Sequence, residues 1–470
     1  MKNVNLVYNV SDKPGLWKTF VFALQQVLAI LAATIAVPAI VGNGMSQSAA
    51  LFGAGVGTIV YLLFTKFKSP VFLGSSFAFI DSMFVAFGGA VSVSVGYLGL
   101  LIGAVMAGLV YVIIALVVKF AGTNWINKLM PAAVIGPTVA VIGLSLSSNA
   151  IKDVVMYGGV SGAYNMGATN ILGLICALVT LATVVFCSVY GKKMMKMIPF
   201  IIGILAGYAV AAIFTVIGHI ADVPEMIIIN FSLFENMAWL PEFTFIEAFK
   251  GFSDLGDFGS YLGTLAVAYI PVAFVVFAEH LADHKNISSI IGTDLTKEPG
   301  LHRTLLGDGV GSIAGAFFGG CPNTTYGESV GCVAISRNAS VVTILTAACV
   351  CIVAAFFAPF VTFLATIPAC VMGGVCVTLY GFIAVSGLKM IQKVDLNDNA
   401  NLFTVSVILI AGVGGMKLVF GKITITAVAC ALILGILTNL FSTKLFKKKS
   451  QVANVETVID EAAATEDKAE

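Results

Sequence analysis

The stretch "GGCPNTTYGESVG", residues 319–331, lies between two long apolar runs and is itself polar and full of breakers. It holds four glycines, a proline, paired threonines and one carboxylate, Glu328. An earlier stretch, "LGSSFAFIDS" from Leu73, has the same make-up: Ser75-Ser76-Phe77-Ala78 aligns with Thr324-Thr325-Tyr326-Gly327. Each gives two hydroxyls, an aromatic and a small residue ahead of a helical run. Both lie at membrane depth, because the surrounding chain is 59% hydrophobic and only 10% charged over 470 residues. Soluble domains carry about 25% charged residues. Charge-free runs such as Thr19 to Thr65 and Val154 to Gly191 are long enough to cross a bilayer once or twice.

In hydrocarbon an unpaired backbone group costs several kcal/mol, so irregular chain survives only where it is buried or lines a cavity. The two broken stretches are therefore expected to pair with each other as short antiparallel strands. Each then leads into a half-helix whose free N–H groups aim at the membrane midplane.

A walk along the apolar runs gives about fourteen segments, beginning near Lys18, Gln47, Pro70, Val95, Lys128, Asn170, Met197, Gly259, Leu305, Cys321, Val341, Ile367, Asn401 and Ile423. The broken stretches are the third and tenth. The fifth and twelfth also match, "PAAVIGPTVAVIGLSL" from Pro131 against "PACVMGGVCVTLYGFIAVSGL" from Pro368. Partners seven segments apart run in opposite directions, so the expected fold is an all-α polytopic membrane protein of two inverted seven-segment repeats.

With the N-terminus inside, all but Lys152, Lys250, Lys417 and Lys422 of the 25 basic residues fall on the cytoplasmic side. Both termini are thus expected in the cytoplasm of a cell whose inner membrane the chain crosses. The long external stretch from His219 to Ser260 contains the interfacial-looking "FENMAWLPEF". The end from Ser450 to Glu470, with six acids and one lysine, reads as a solvated tail. A cleavable signal pattern is absent from the start of this sequence. The nine cysteines form no CxxC pair or metal-ligand spacing, so neither metal nor cofactor is expected; nor is a nucleic-acid partner, at a net charge of +1.

Ionisable residues inside the spans are functional candidates, since each is costly there. They are Asp81, Glu279, Asp283, His284, Asp308 and Glu328, with His280 beside Glu279. On a helix Asp283 shares a face with Glu279, while His284 lies about 140° round. Glu328 opens a half-helix, where the dipole favours a carboxylate. Asp81 sits one turn into the other half-helix, and Asp308 in "GDGVGS" is expected to accept a hydrogen bond from behind the site. Two carboxylates and two half-helix N-termini, without a buried Lys or Arg, fit an amine or a neutral polar heterocycle. An anion fits poorly. A flat ring alternating N–H with C=O would use every group, with Phe77 and Tyr326 over its faces. No Ser/His/Asp or Cys/His set recurs at one depth, which disfavours an enzyme. A channel would need a continuous polar path, whereas here the polarity gathers at one site.

At these residues the sequence resembles the nucleobase–cation symporter family, which includes uracil and xanthine permeases. The likeness runs from "LQQVLAILAATIAVP" at Leu24 through "GSSFAF" and "AEHLADH" to "PNTTYGESVGCVAISR". It looks closest to the uracil permease branch, through Ala278-Glu279-His280 and Thr325-Tyr326-Gly327-Glu328. The resemblance implies proton-coupled symport of a nucleobase, uracil above xanthine, by an elevator-like motion in a homodimer. It implies core parts at 18–125 and 259–360, gate parts at 126–258 and 361–445, an N-terminal segment 1–17 and a tail 446–470.

The family's substrate carboxylates fall on Glu279 and Glu328, and its backbone contacts on Phe77, Gly327 and Glu328. Its packing contacts fall on Ala33, Phe77 and Tyr326, Ser76 lies beside them, and its proton-linked histidine falls on His284. Asp283 is the alternative proton carrier. Asp308, Asp81, Gln26 and Thr325 are expected behind the site. The chain departs from the family pattern at Ser329 and Ser336, at Gln26 (often His), and at Asp81 and Asp308 (often neutral).

Overall fold

The computed structural model describes residues 6–443 except 123–124, 126–128, 156–165, 193, 257 and 421–422. The tail 446–470 and the topology markers Lys128, Lys193 and Lys422 therefore lie outside the described residues.

Helices α1 (Leu16–Val41) and α2 (Gln47–Phe64) precede strand β1 (Leu73–Ser75), the short helix α3 (Phe77–Gly88) and α4 (Val93–Ala121). Next come α5 (Ala132–Val154), α6 (Ala168–Val189), α7 (Pro199–Ala221) and a short helix α8 (Thr244–Lys250). The second half runs α9 (Phe258–Ile291), α10 (Leu301–Gly319), β2 (Asn323–Thr325) and α11 (Gly327–Ser336). It continues with α12 (Val341–Ala354), α13 (Ala358–Ala365), α14 (Ala369–Ile391) and α15 (Asn399–Val413). A hairpin, β3 (Leu418–Phe420) and β4 (Ile423–Ile425), leads into α16 (Ala427–Thr443). Among the described residues eight helices are long and apolar enough to span a membrane: α1, α2, α4, α5, α6, α7, α9 and α14. Of the others, α10 has 19 residues but is less apolar, and α12 with α13 is a pair bent by 82°.

Local chemistry sets the ends. Ser46 Oγ accepts the Ala49 N–H at 3.2 Å and Ser92 Oγ that of Val95 at 3.3 Å, N-caps that stop chain entry cleanly. Pro131 and Pro368 stand at the N-caps of α5 and α14, where a missing N–H is harmless.

The two broken stretches meet at the centre. β1 and β2 pair antiparallel with Leu73 opposite Thr325, Gly74 opposite Thr324 and Ser75 opposite Asn323. The Ser76 N–H to the Pro322 carbonyl at 2.9 Å and the Tyr326 N–H to the Phe72 carbonyl at 3.2 Å extend the ladder. On the open edges side chains complete the pairing: the Leu73 N–H donates to Thr58 Oγ1 at 2.9 Å and the Phe72 N–H to Ser329 Oγ at 3.0 Å. That is how extended backbone is satisfied far from water.

Helices α2 and α10 cross with glycines facing each other's backbone. A Cβ on Gly53 would fall 2.4 Å from the Gly315 carbonyl oxygen, and one on Gly57 2.7 Å from that of Gly311. Small residues every fourth position permit this approach. Neighbours come in exchanged couples: α1 packs on α12 as α9 does on α4, α1 on α11 as α9 on α3, and α10 on α4 as α2 on α12.

At the end of α10, Phe243 and Phe245 pack with Phe317 and Phe318, the Phe245 and Phe317 rings stacked at 4.8 Å. The stretch that reads as interfacial thus splits: Phe243 joins this aromatic cluster, while Trp239 and Leu240 stay exposed.

Candidate functional site

A cavity of about 520 Å³ reaches from the strand pair to the ends of α6, α9, α11 and α14. Its inner wall is Phe77 and Ala78 at the start of α3, Tyr326, Gly327 and Glu328 at the start of α11, and Glu279 and Asp283 on α9. Val139 and Ile142 of α5, Phe200 of α7 and Leu379 and Phe382 of α14 close the opposite side. Ser188, Lys196, Asn286, Ser386 and Met390 stand toward the mouth. The cavity is therefore apolar on one wall and lined with acceptors and free helix N–H groups on the other.

The inner wall is rigid for identifiable reasons. Tyr326 lays its ring across Gly74, where a Cβ would meet it at 2.4 Å, and its hydroxyl donates to the Ser75 carbonyl at 2.7 Å. Phe77 packs edge-on against Tyr380 of α14 at 5.8 Å between ring centres. Gly327 is exposed although central, because it faces the cavity; a Cβ there meets only Asp283 Oδ1, at 3.8 Å. Glu279 and Glu328 are half-buried. Asp283 is buried, and the Thr325 hydroxyl donates to its Oδ2 at 2.9 Å.

His284, which the resemblance marks as proton-linked, does not line the cavity. Its Nδ1–H donates to the His280 carbonyl at 2.8 Å, and its Nε2 faces the Tyr61 hydroxyl at 2.7 Å. The physical reason is the helix itself: five residues place it on another face from Glu279. Asp283, one turn from Glu279, lines the cavity instead.

Behind α9, His280 Nδ1 meets Asp308 Oδ2 at 2.7 Å. Thr304 donates to the Leu301 carbonyl at 3.0 Å, so its oxygen accepts from His280 Nε2–H, also at 3.0 Å. With that nitrogen protonated, the His280–Asp308 contact holds one shared proton, as an ion pair or as a neutral pair.

Of the remaining expected residues, Ser76, Thr325 and Ala33 are buried and do not line the cavity; Ala29 takes the place expected of Ala33. Gln26 is buried with its amide on Ser329 Oγ, the same oxygen that accepts from Phe72. Asp81 is half-buried one turn into α3 and is not among the residues lining the cavity. The sequence reading missed Lys196, Asn286, Ser386 and the apolar wall from α5, α7 and α14. Charge alone marked Lys196, and nothing local marked the wall.

The profile of the xanthine and uracil permeases, described as a permease family, matches residues 17–420. The uracil permease of Bacillus subtilis (strain 168) is 37% identical over 446 residues, covering 93% of this chain and 95% of that one. The uracil permease of Escherichia coli (strain K12) is 35% identical over 455 residues, covering 96% of each. Among solved structures, the transmembrane domain of a cyanobacterium bicarbonate transporter, BicA, superimposes with a TM-score of 0.62 at 17% identity, covering 91% of this chain and 97% of that one. The last shows a shared fold and no more. The chain belongs to this permease family, and it is a multi-pass membrane transporter rather than an enzyme.

Proposed function

We propose that this permease carries a nucleobase, uracil foremost, into the cell together with a proton. The observation that carries the reading is the inner wall of the cavity. Glu279, Glu328 and the N-terminal turn of α11 offer acceptors and donors to a flat ring between Phe77 and Tyr326. A carboxylate accepts from ring N–H groups and helix N–H groups donate to ring carbonyls. The relatives named uracil permease support the same substrate. Three carboxyl groups at the wall, Glu279, Asp283 and Glu328, speak against an anion despite the likeness to a bicarbonate transporter. The cavity volume of about 520 Å³ also admits a bicyclic purine, which keeps xanthine as the second reading.

The proton belongs on Asp283, which faces the cavity beside Glu279, in preference to His284. Substrate binds with the proton in place, and release of the proton to the cytoplasm weakens binding. Fourteen segments in two inverted repeats, cytoplasmic termini, a homodimer and movement of α1–α4 with α9–α12 against the other helices complete the proposal.

The test is uptake of labelled uracil into proteoliposomes under imposed pH or sodium gradients, competed by thymine, xanthine, uric acid and adenine. Uptake should follow an inward proton gradient, with Asp283→Asn losing accumulation and His284→Ala retaining it. Sodium-dependent uptake indifferent to a protonophore would overturn the proton; stronger competition by xanthine than by unlabelled uracil would overturn the substrate.

A further inference from the structure

We infer that Thr325 is a positioning residue for proton coupling, fixing which oxygen of Asp283 meets the cavity and the pH at which that carboxyl gives up its proton. The inference rests on the reading of Asp283 as the proton carrier. Thr325 ends β2 and lies opposite Leu73 in the ladder, so its backbone is held from both sides of the molecule. Its side chain is fully buried and donates its one hydroxyl proton to Asp283 Oδ2 at 2.9 Å. Oδ1 is left toward the first turn of α11, 3.8 Å from where a Cβ on Gly327 would stand. The proton therefore enters and leaves at Oδ1, next to the substrate position, while Oδ2 stays an acceptor.

A hydrogen bond donated to a carboxyl favours its ionised form. The other titratable groups around Asp283 are Glu279, His280 and His284 on the same helix, Glu328 on α11, Asp308 on α10, Tyr61 on α2 and Tyr111 on α4. Lys196 stands only at the mouth of the cavity. Thr325 is thus the hydroxyl donor that β2 brings to Asp283.

The experiment is the pH profile of proton-driven uracil uptake for the parent, Thr325→Ser, Thr325→Val and Thr325→Cys. Serine keeps the donor and should keep the parent profile. Valine removes it, so the proton stays on to higher pH and the alkaline limb should move up by about one unit. Cysteine, a weaker donor, should give a smaller move in the same direction, and it decides the matter if the valine variant does not fold. Uracil exchange at low pH, which needs no net proton release, should stay near the parent rate. A uniform loss at every pH, or an unmoved limb in both folded variants, overturns the inference. Asp283→Asn separates the two readings. If it keeps the parent profile, the assignment of the proton to Asp283 is lost. If it loses coupling while the Thr325 variants keep the parent profile, only the role of Thr325 fails.

Discussion

Glu279 offers two acceptor oxygens to the cavity, and an amide in its place would offer one acceptor and one donor. Glu279→Gln should therefore bind uracil at least tenfold more weakly, roughly the 1.4 kcal/mol or more expected from one mispaired group, while remaining folded. Calorimetry on purified protein measures this, and parent affinity would remove Glu279 from the site. Behind it, the shared proton of His280 and Asp308 makes a different kind of demand. Asp308→Asn can donate from its amide to His280 Nδ1 and so copies the neutral pair, whereas Asp308→Ala leaves a buried nitrogen alone. The alanine variant should lose about 1–3 kcal/mol of stability and the asparagine variant much less, read as melting temperatures in detergent. Equal losses would count against a donor at that position. The carboxylates were legible from sequence because charge is so rare at this depth. The helix pitch also turned His284 about 140° away from Glu279, but motif resemblance ignores that rotation and put the proton on His284 nonetheless.

The broken stretches are legible as elements because Gly, Pro and Thr runs interrupt an otherwise helical chain, and backbone pairing then has few solutions. What the sequence could not offer was the identity of the groups closing the strand edges, Thr58 and Ser329, which come from helices on either side. The β3–β4 hairpin and the bend between α12 and α13 likewise passed unnoticed among apolar residues. Two substitutions test the elements. Gly315→Ala would put a methyl 2.1 Å from the Asn323 amide, and Asn323 in turn donates to the Gly53 carbonyl at 3.1 Å. Overpacking of this kind costs about 1–3 kcal/mol, so a lower melting temperature is expected. Gly327→Val is the contrary case. Its side chain enters the cavity rather than the packing, so transport should fall by more than tenfold at parent expression and nearly parent stability. Normal uptake by that variant would show that substrate does not approach this backbone.

At the scale of the molecule, the cavity opens toward the side bearing Lys192, Lys196, Arg337 and Lys389. If that side is cytoplasmic, a cysteine at Ser386, exposed near the mouth, should react with an impermeant thiol reagent faster in inside-out than in right-side-out vesicles, once the exposed Cys349 is replaced. Uracil should slow the reaction. The reverse preference would invert the topology. At this scale two short internal matches pointed to the repeat that the strand pair and the exchanged helix couples display. The apolar wall facing the site was not legible, because residues from α5, α7 and α14 look in isolation like any lipid-facing surface.

The ladder of β1 and β2 has a further consequence. Align Ser75 with Thr324 and Gly74 with Asn323, and exchanging the two strands turns the Gly74–Thr324 and Ser75–Asn323 pairs into each other and Leu73–Thr325 into the hydrogen-bonded Ser76–Pro322 contact. The contact is self-complementary. A chain holding only one half would leave three residues of bare strand edge in the middle of the hydrocarbon, a fault that no lipid can mend. A second copy inserted upside down would mend it with the same register. An ancestor half this length would thus have been obliged to live in both orientations at once, and joining two copies end to end would have relieved it of that obligation.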